Sequence, residues 1–330
     1  MQKLSEMMRA RAAELLAQGA VGRVLGWRSG GLGYDPSPAF FHSAEQLPEL
    51  VYNGFCAANL SKYLIKAGEN DGRTLVFLKP CDTYGLNQLL SEHRIDRDKT
   101  YLLGVGCGGM LDMEKARGKG IKGVGSLEEA GGAVVFQTLY GEKSCPRSDL
   151  LLEKCIACKG GEHMAYDELL GAEETAANTG FDRFAGVNEL EDMPAGERFD
   201  FWRGQLSKCI RCNACRNVCP ACSCNQCVFD NARSGVSAKA NADSFEENLF
   251  HIIRAYHVAG RCTDCGECSR VCPQGIPLHL LNRKLIKDIN AFYGPYQAGA
   301  DPDSLPPLTD YTKEDVEPGV VTTRGGATGC

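Results

Sequence analysis

The sequence predicts an α/β N-terminal domain, a parallel sheet with flanking helices, followed by a mainly helical, cysteine-rich domain. Three observations carry this. Apolar runs alternate with helix-like stretches in the first half, the pattern of a parallel sheet. The spacing C-x2-C-x2-C-x3-C-P occurs twice, from Cys209 to Pro220 and from Cys262 to Pro273. Stretches with helical apolar spacing flank the second copy. A chain of 330 residues has room for two domains.

The opening "MQKLSEMMRARAAELLAQGAVG" is charged throughout and reads as a short amphipathic helix, not a secretory signal. "TLVFLKPCD" is a strand ending at Cys81, and "YLLGVGCGG" is another ending at Cys107. "TYGLNQLLSEH" between them and "CAANLSKYLIKAG" before them are helix-like. Ligands of parallel sheets bind beyond the carboxyl ends of the strands. Both cysteines fall at that edge. The pair Cys155 and Cys158, spaced C-x2-C, lacks two partners, and Cys81 and Cys107 are the natural ones, with Cys56 and Cys145 as competitors. These four thiols are expected to hold a third cluster. The alternative makes Cys56, Cys81 and Cys107 small buried core residues.

Hydrophobic residues make up 43 % and charged residues 24 % of the chain, the composition of a protein with a real core. Thirty-six basic against forty-two acidic residues leave a net charge of −6, which argues against a nucleic-acid partner. No run approaches the roughly 20 apolar residues of a membrane span. A cytoplasmic location is therefore expected, and reducing conditions there favour metal or redox roles for the 18 cysteines over disulfides.

The repeated spacing is the signature of a two-cluster ferredoxin-like domain. Three thiolates two residues apart wrap one 4Fe–4S cube, and the fourth cysteine departs to ligate the other. The expected sets are Cys209, Cys212, Cys215 with Cys272, and Cys262, Cys265, Cys268 with Cys219. Zinc sites favour two separated C-x2-C pairs, which this pattern is not. Cys222, Cys224 and Cys227 follow Pro220. They either ligate an additional cluster, its fourth ligand being Cys56, Cys145 or a non-cysteine group, or form a loop over the neighbouring cube.

In "SFEENLFHIIRAYHVAG", Phe245, Leu249, Ile252, Ile253 and Tyr256 form one apolar helical face, ended by Gly260. His251 and His257 read as surface or packing residues. "IPLHLLNRKLIKDINAF" is a further helix. The expected domains are residues 1–170 (α/β), 171–200 (linker), 201–293 (dicluster) and 294–330 (extended tail), with Cys330 a terminal thiol.

"NGFCAANLSKYL", "VFLKPCDTYGLNQLLSEHRIDRDKTYLLGVGCGGMLD" and the two cysteine segments resemble the beta-subunit family of coenzyme F-420 (deazaflavin) hydrogenases and dehydrogenases, in particular its formate dehydrogenase beta-like members. The resemblance covers roughly residues 20 to 290, although in many members the cysteine motifs precede the α/β part. It implies an iron–sulfur electron-transfer subunit of an anaerobic oxidoreductase complex, beside a formate dehydrogenase, hydrogenase or heterodisulfide reductase-like partner. The other class it allows is a flavin enzyme moving hydride between F-420 or NAD(P) and ferredoxin. FAD would serve there, though "SGGLGYDP" and "GVGCGGML" are not G-x-G-x-x-G turns.

Overall fold

The computed structural model describes residues 2–67, 72–171, 181–231 and 244–308. Helix α1 (Gln2–Ala17) buries Leu4, Met8, Ala12 and Leu15 along one side. That three-to-four-residue spacing is what a single helix face requires. Then come β1 (Arg23–Arg28), β2 (Ser37–Phe41) and the one-turn helix α2 (Leu64–Ala67). The unit β3 (Thr74–Leu78), α3 (Pro80–Ser91) and β4 (Thr100–Val105) follows. The first half ends with α4 (Met113–Gly118), β5 (Val124–Ala130), β6 (Ala133–Thr138), β7 (Gly141–Pro146), α5 (Glu153–Ile156) and β8 (Glu168–Leu170).

The main sheet has the order β2-β1-β3-β4-β8. Its last four strands are parallel, and β2 lies antiparallel on the edge. All five residues of β3 are buried, as a central strand covered on both faces demands. Trp27, Phe41 and Phe77 are fully buried in its core, each stabilising the fold by roughly 1.5–3 kcal/mol. Pro80 stands in the first turn of α3, where its fixed φ suits a helix start, so the chain turns directly from β3 into α3 with Cys81 at the turn.

Two features of this half differ from the sequence reading. Residues 56–68 were expected to be one helix. Only a 3-10 turn over Ser61–Tyr63 and α2 form, because Asn59 Oδ1 takes the Ser61 backbone N–H (2.9 Å) and hydroxyl (2.6 Å) and so holds a turn in place of a helical start. The second is an antiparallel sheet, β5-β6-β7, that lies outside the main sheet. Gly131 and Gly132 supply the two positive φ angles (57° and 80°) that a tight hairpin between β5 and β6 needs.

The second half is helical: α6 (Ala185–Asp192), α7 (Ala195–Leu206), α8 (Ala214–Asn217), α9 (Ser244–His257), α10 (Glu267–Arg270) and α11 (Leu278–Tyr293). α11 packs on α6, α9 and α10, and α7 packs on α9. Much of the stretch read as linker is thus helical, with Val187 and Leu190 of α6 buried.

Helix α9 sits the other way round from its apolar pattern. Phe245, Ile252 and Tyr256 are exposed, while Glu247, Phe250, His251 and Arg254 are buried. Its apolar side borders a groove of about 1120 Å³ shared with Phe199, Trp202 and Leu281. Its polar side faces the cysteine loops. Beyond α11 the chain returns to α3, where Asn87 Nδ2 donates to Gly299 O at 3.0 Å. Residues 309–330, with Cys330, lie outside the described residues. Among the described residues no helix is long and apolar enough to cross a membrane.

Candidate metal centres

The two cysteine loops have the same backbone, repeated at an offset of 53 residues. Arg211 and Asp264, each just before the second cysteine, have φ of 54° and 53°. Asn213 and Gly266, each just after it, have φ of 62° and 66°. Left-handed residues are costly outside glycine, so a pair at matching positions marks a built loop. Alternating hands turn successive N–H groups into one concavity, a cradle for anionic groups such as iron–sulfur clusters. In the first loop, the Arg211 N–H points at Cys209 Sγ at 3.4 Å. Helices α8 and α10 then begin at the matching residues Ala214 and Glu267.

Each loop surrounds a cavity, and the fourth cysteine of each crosses to the other. Cys209, Cys212, Cys215 and Cys272 line the first cavity, with Phe250, His251, Ile276 and Leu278. Cys219, Cys262, Cys265 and Cys268 line the second, with His279 and Asn282. Burial pushes the Cys268 thiol up to about 12 and the Cys265 thiol up to about 11. Such thiols are neutral unless a metal takes their protons.

Buried donors without a protein partner gather here. His251 has neither ring nitrogen bonded, and burial, reinforced by Arg254 and Arg211, pushes its pKa down to about 3. Arg254 Nε also lacks a partner. Native interiors rarely leave such groups unpaired. Four thiols around each cavity, an N–H cradle and unsatisfied donors fit a 4Fe–4S cube in each.

A third cavity, of about 80 Å³, lies at the carboxyl ends of β3 and β4. It is lined by Cys81, Cys107, Cys155 and Cys158, together with Lys79, Lys154, Lys159, Gly108 and Gly109. Met110 N–H points at Cys155 Sγ (3.2 Å) and Gly160 N–H at Cys158 Sγ (3.4 Å). His163 Nε2 lies 3.0 Å from Leu78 O, and Met164 N–H donates to Thr83 Oγ1 at 3.0 Å. These bonds tie the loop after Cys158 to the strand end that carries Cys81. Lys79 is held by Asp82 (2.8 Å), by Cys56 O (3.0 Å) and over the Trp27 ring (4.3 Å). Cys265 and Asp264 line this cavity as well as the second one, so the two are neighbours through one residue pair.

The competing cysteines lie elsewhere. Cys56 is fully buried in the main core, its thiol pushed up to about 12 by burial. Cys145 belongs to the core of the small sheet.

Cys222, Cys224 and Cys227 line neither the two loop cavities nor the strand-end cavity. The Cys222 thiol bonds that of Cys219. This bond, against burial and helped by Arg254 and Lys62, pulls Cys222 down to about 7. Cys224 is exposed, and Cys227 bonds Arg216. The loop is braced on α3 through Ser223 Oγ to Glu92 (2.5 Å) and Arg94 to Asn225 (2.7 Å). Among the described residues no group of three or more His, Cys, Asp or Glu side chains could hold a single metal ion.

Sequence reasoning missed Lys154, Glu267, His251 and Arg254 as site residues. For α9 a signal was present: Glu247, His251 and Arg254 recur at helical spacing and form a polar stripe.

Paired four-thiol cavities joined crosswise define an iron–sulfur protein of the two-cluster kind, and the 4Fe-4S dicluster domain family matches residues 205–276. Over 89 % of the chain, two relatives are similar. The F420-dependent formate dehydrogenase subunit beta of Methanocaldococcus jannaschii is 24 % identical, over 89 % of this chain and 91 % of its own length. The F420-dependent formate dehydrogenase 1 subunit beta of Methanococcus maripaludis is 26 % identical, over 89 % and 90 %. Over that length the chain is similar to beta subunits of F420-dependent formate dehydrogenases. Among solved structures, one from the F420-reducing NiFe hydrogenase complex of Methanosarcina barkeri overlaps 48 % of this chain and 59 % of its own, with a TM-score of 0.37 and 15 % identity.

Proposed function

We propose that the chain is the iron–sulfur subunit that carries electrons between a catalytic oxidoreductase partner and a second acceptor. The observation that supports this most is the linkage of three thiol-lined cavities, two through shared lining residues and two through cysteines exchanged between the loops. Cys265 borders the strand-end and second cavities. Cys219, of the second cavity, leaves the loop whose other cysteines line the first. Cys209, Cys212, Cys215 and Cys272 would hold one cube, and Cys219, Cys262, Cys265 and Cys268 another. Cys81, Cys107, Cys155 and Cys158 would hold a third. Such cubes supply one-electron chemistry. The chain's own part is to fix the thiolates, to offer N–H groups to sulfur, and to exclude water with Phe250, Ile276 and Leu278.

The relatives' names favour a formate dehydrogenase as the catalytic partner, over a hydrogenase or a heterodisulfide reductase-like protein. A reducing cytoplasm suits 17 free cysteines among the described residues. Cys222, beside Cys219, is the strongest candidate of the extra three for contact with a cube.

The F420 dependence of both relatives favours a second reading. A deazaflavin carries hydride, and joining hydride to one-electron cubes calls for a flavin such as FAD. In that reading the chain is itself the oxidoreductase between F-420 or NAD(P) and ferredoxin.

An anaerobic inventory of iron, acid-labile sulfide and flavin tests both readings. Three cubes give about twelve iron atoms per chain, the dicluster alone about eight. The chain by itself should accept electrons from reduced viologen yet oxidise neither formate nor hydrogen. Zinc without labile sulfide, or steady formate oxidation by the chain alone, would overturn the electron-carrier reading. One FAD per chain with F-420 reduction would establish the second.

A further inference from the structure

Helix α9 carries its charge inward. Arg254 is 4 % exposed, and His251, one turn earlier, is 2 % exposed. A buried guanidinium is unfavourable unless an anion and hydrogen-bond acceptors meet it. Arg254 Nη2 donates to Cys215 O at 3.0 Å, and Nε has no partner. Among the described residues no Asp or Glu pairs with it. The anionic groups acting on it are thiols: Cys219 and Cys268 of the second cavity, Cys215 of the first, and Cys222 between them.

A cube held by four thiolates is net negative in both oxidation states, and more so when reduced. A buried cation within reach of two such cubes therefore stabilises the reduced form of each. Its effect is large because little water screens it. Net charge and hydrogen bonds around the sulfurs are the levers by which a protein sets cluster potential. Four other cations beside these loops have carboxylate partners. Glu267 meets Lys154 and Arg270, and Asp264 meets Arg283 at 2.7 Å and Arg183 at 3.4 Å. Lys62 Nζ donates to Cys219 O at 3.0 Å and to Cys222 O, and acts on the second loop. Arg254 is the buried cation that acts on cysteines of both cavities.

We propose that Arg254 is a redox-positioning residue, the buried cation shared by the two dicluster cubes, which raises the reduction potential of both together. In each half-reaction one cube gains one electron from a one-electron donor such as reduced viologen, and no proton moves. The outcome is a matched pair of potentials, so that an electron arriving at one cube passes to its neighbour without a large step. The proposal rests on the reading of these cavities as 4Fe–4S sites.

The test is an anaerobic redox titration, followed by electron paramagnetic resonance, of the full chain as wild type, Arg254→Gln and Arg254→Lys, with iron measured on each. Gln removes the charge and keeps a polar side chain. It should lower the reduced-to-oxidised ratio of both dicluster cubes at least ten-fold at a given ambient potential, about 59 mV for a one-electron couple. Lys should restore most of that shift. A cube in the strand-end cavity should be unmoved. Unshifted potentials in an iron-replete Gln variant would overturn the proposal, as would equal shifts in Gln and Lys, or a shift in one dicluster cube alone. If the Gln variant does not load iron, Lys decides. Near-wild-type potentials support the charge, and failure of Lys to load overturns it. Absence of cube iron from the wild type would overturn the proposed function, and this inference with it.

Discussion

Lys154 and Glu267 form an ion pair, 7 % and 0 % exposed at their side chains, between the strand-end cavity and the second cysteine loop. Lys154 directly precedes Cys155, and Glu267 stands between Cys265 and Cys268. The same ammonium donates to Ala57 O at 3.0 Å, and Glu267 takes two bonds from Arg270 at 2.7 Å each. One pair thus fixes the α/β half, the third cavity and the second loop relative to one another. Glu267→Ala leaves the buried Lys154 and the half-buried Arg270 without their anion. Removing one partner of a buried pair costs about 3–5 kcal/mol. The midpoint of urea denaturation of the anaerobic holoprotein should fall accordingly, and a loss below about 1 kcal/mol would mean the pair is solvated.

The strand-end cavity makes a sharper demand. Cys155→Ala and Cys158→Ala should each remove about four iron atoms while the dicluster resonance signals persist. Cys81→Ala and Cys107→Ala should match them, because all four thiols border the same cavity. Cys145→Ala, in the small-sheet core, should keep full iron. Iron content per chain decides. Unchanged iron in the first four variants would make those cysteines core residues.

Much of this was legible in the sequence, and the failures have physical causes. The spacing of the eight motif cysteines is set by local chain geometry, so the residues alone place them around two cavities. Cys81 and Cys107 followed from two apolar runs and the rule for strand ends. The small sheet was missed although Gly131-Gly132 stands between two alternating segments, because its residues are mostly exposed and the apolar signal is thin. The apolar face of α9 does not mark its buried side, for a deeper reason. Apolar periodicity reports the face that avoids water, and the inner face of α9 meets cavities whose contents are charged. Its apolar residues were left to the groove with Phe199 and Trp202.

His163 gives the fold a pH dependence. Burial disfavours its cation, and although the Leu78 carbonyl opposes this, its pKa is lowered. Unfolded, the ring titrates near about 6.5. The folded state therefore binds fewer protons than the unfolded one in the window just below that value. The contribution is complete above it and is lost as pH falls toward the folded pKa. The wild type should lose thermal stability between about pH 7 and pH 5, and His163→Gln, which keeps a donor for Leu78 O, should lose less. Identical pH profiles would show that the ring titrates normally in the folded chain.

Asn213 and Gly266 occupy the same left-handed position in the two loops, yet they should respond differently to substitution. A non-glycine residue with this backbone costs about 1–2 kcal/mol, and Asn bears it better than most. Asn213→Gly should thus leave thermal stability and iron content close to wild type. Gly266→Ala faces the same φ penalty and a second obstacle: a Cβ there would lie 2.5 Å from Lys154 Cβ and 3.5 Å from its Cα. Those atoms belong to the residue that pairs with Glu267, so relief of the clash must move the pair or the loop. Gly266→Ala should lower stability by about 2–4 kcal/mol, the strain adding to disturbance of the pair. It should also reduce iron at the second and strand-end cavities while sparing the first. Equal and mild effects from both variants, read by thermal midpoint and iron content, would mean that backbone conformation alone governs this position and that Lys154 yields freely.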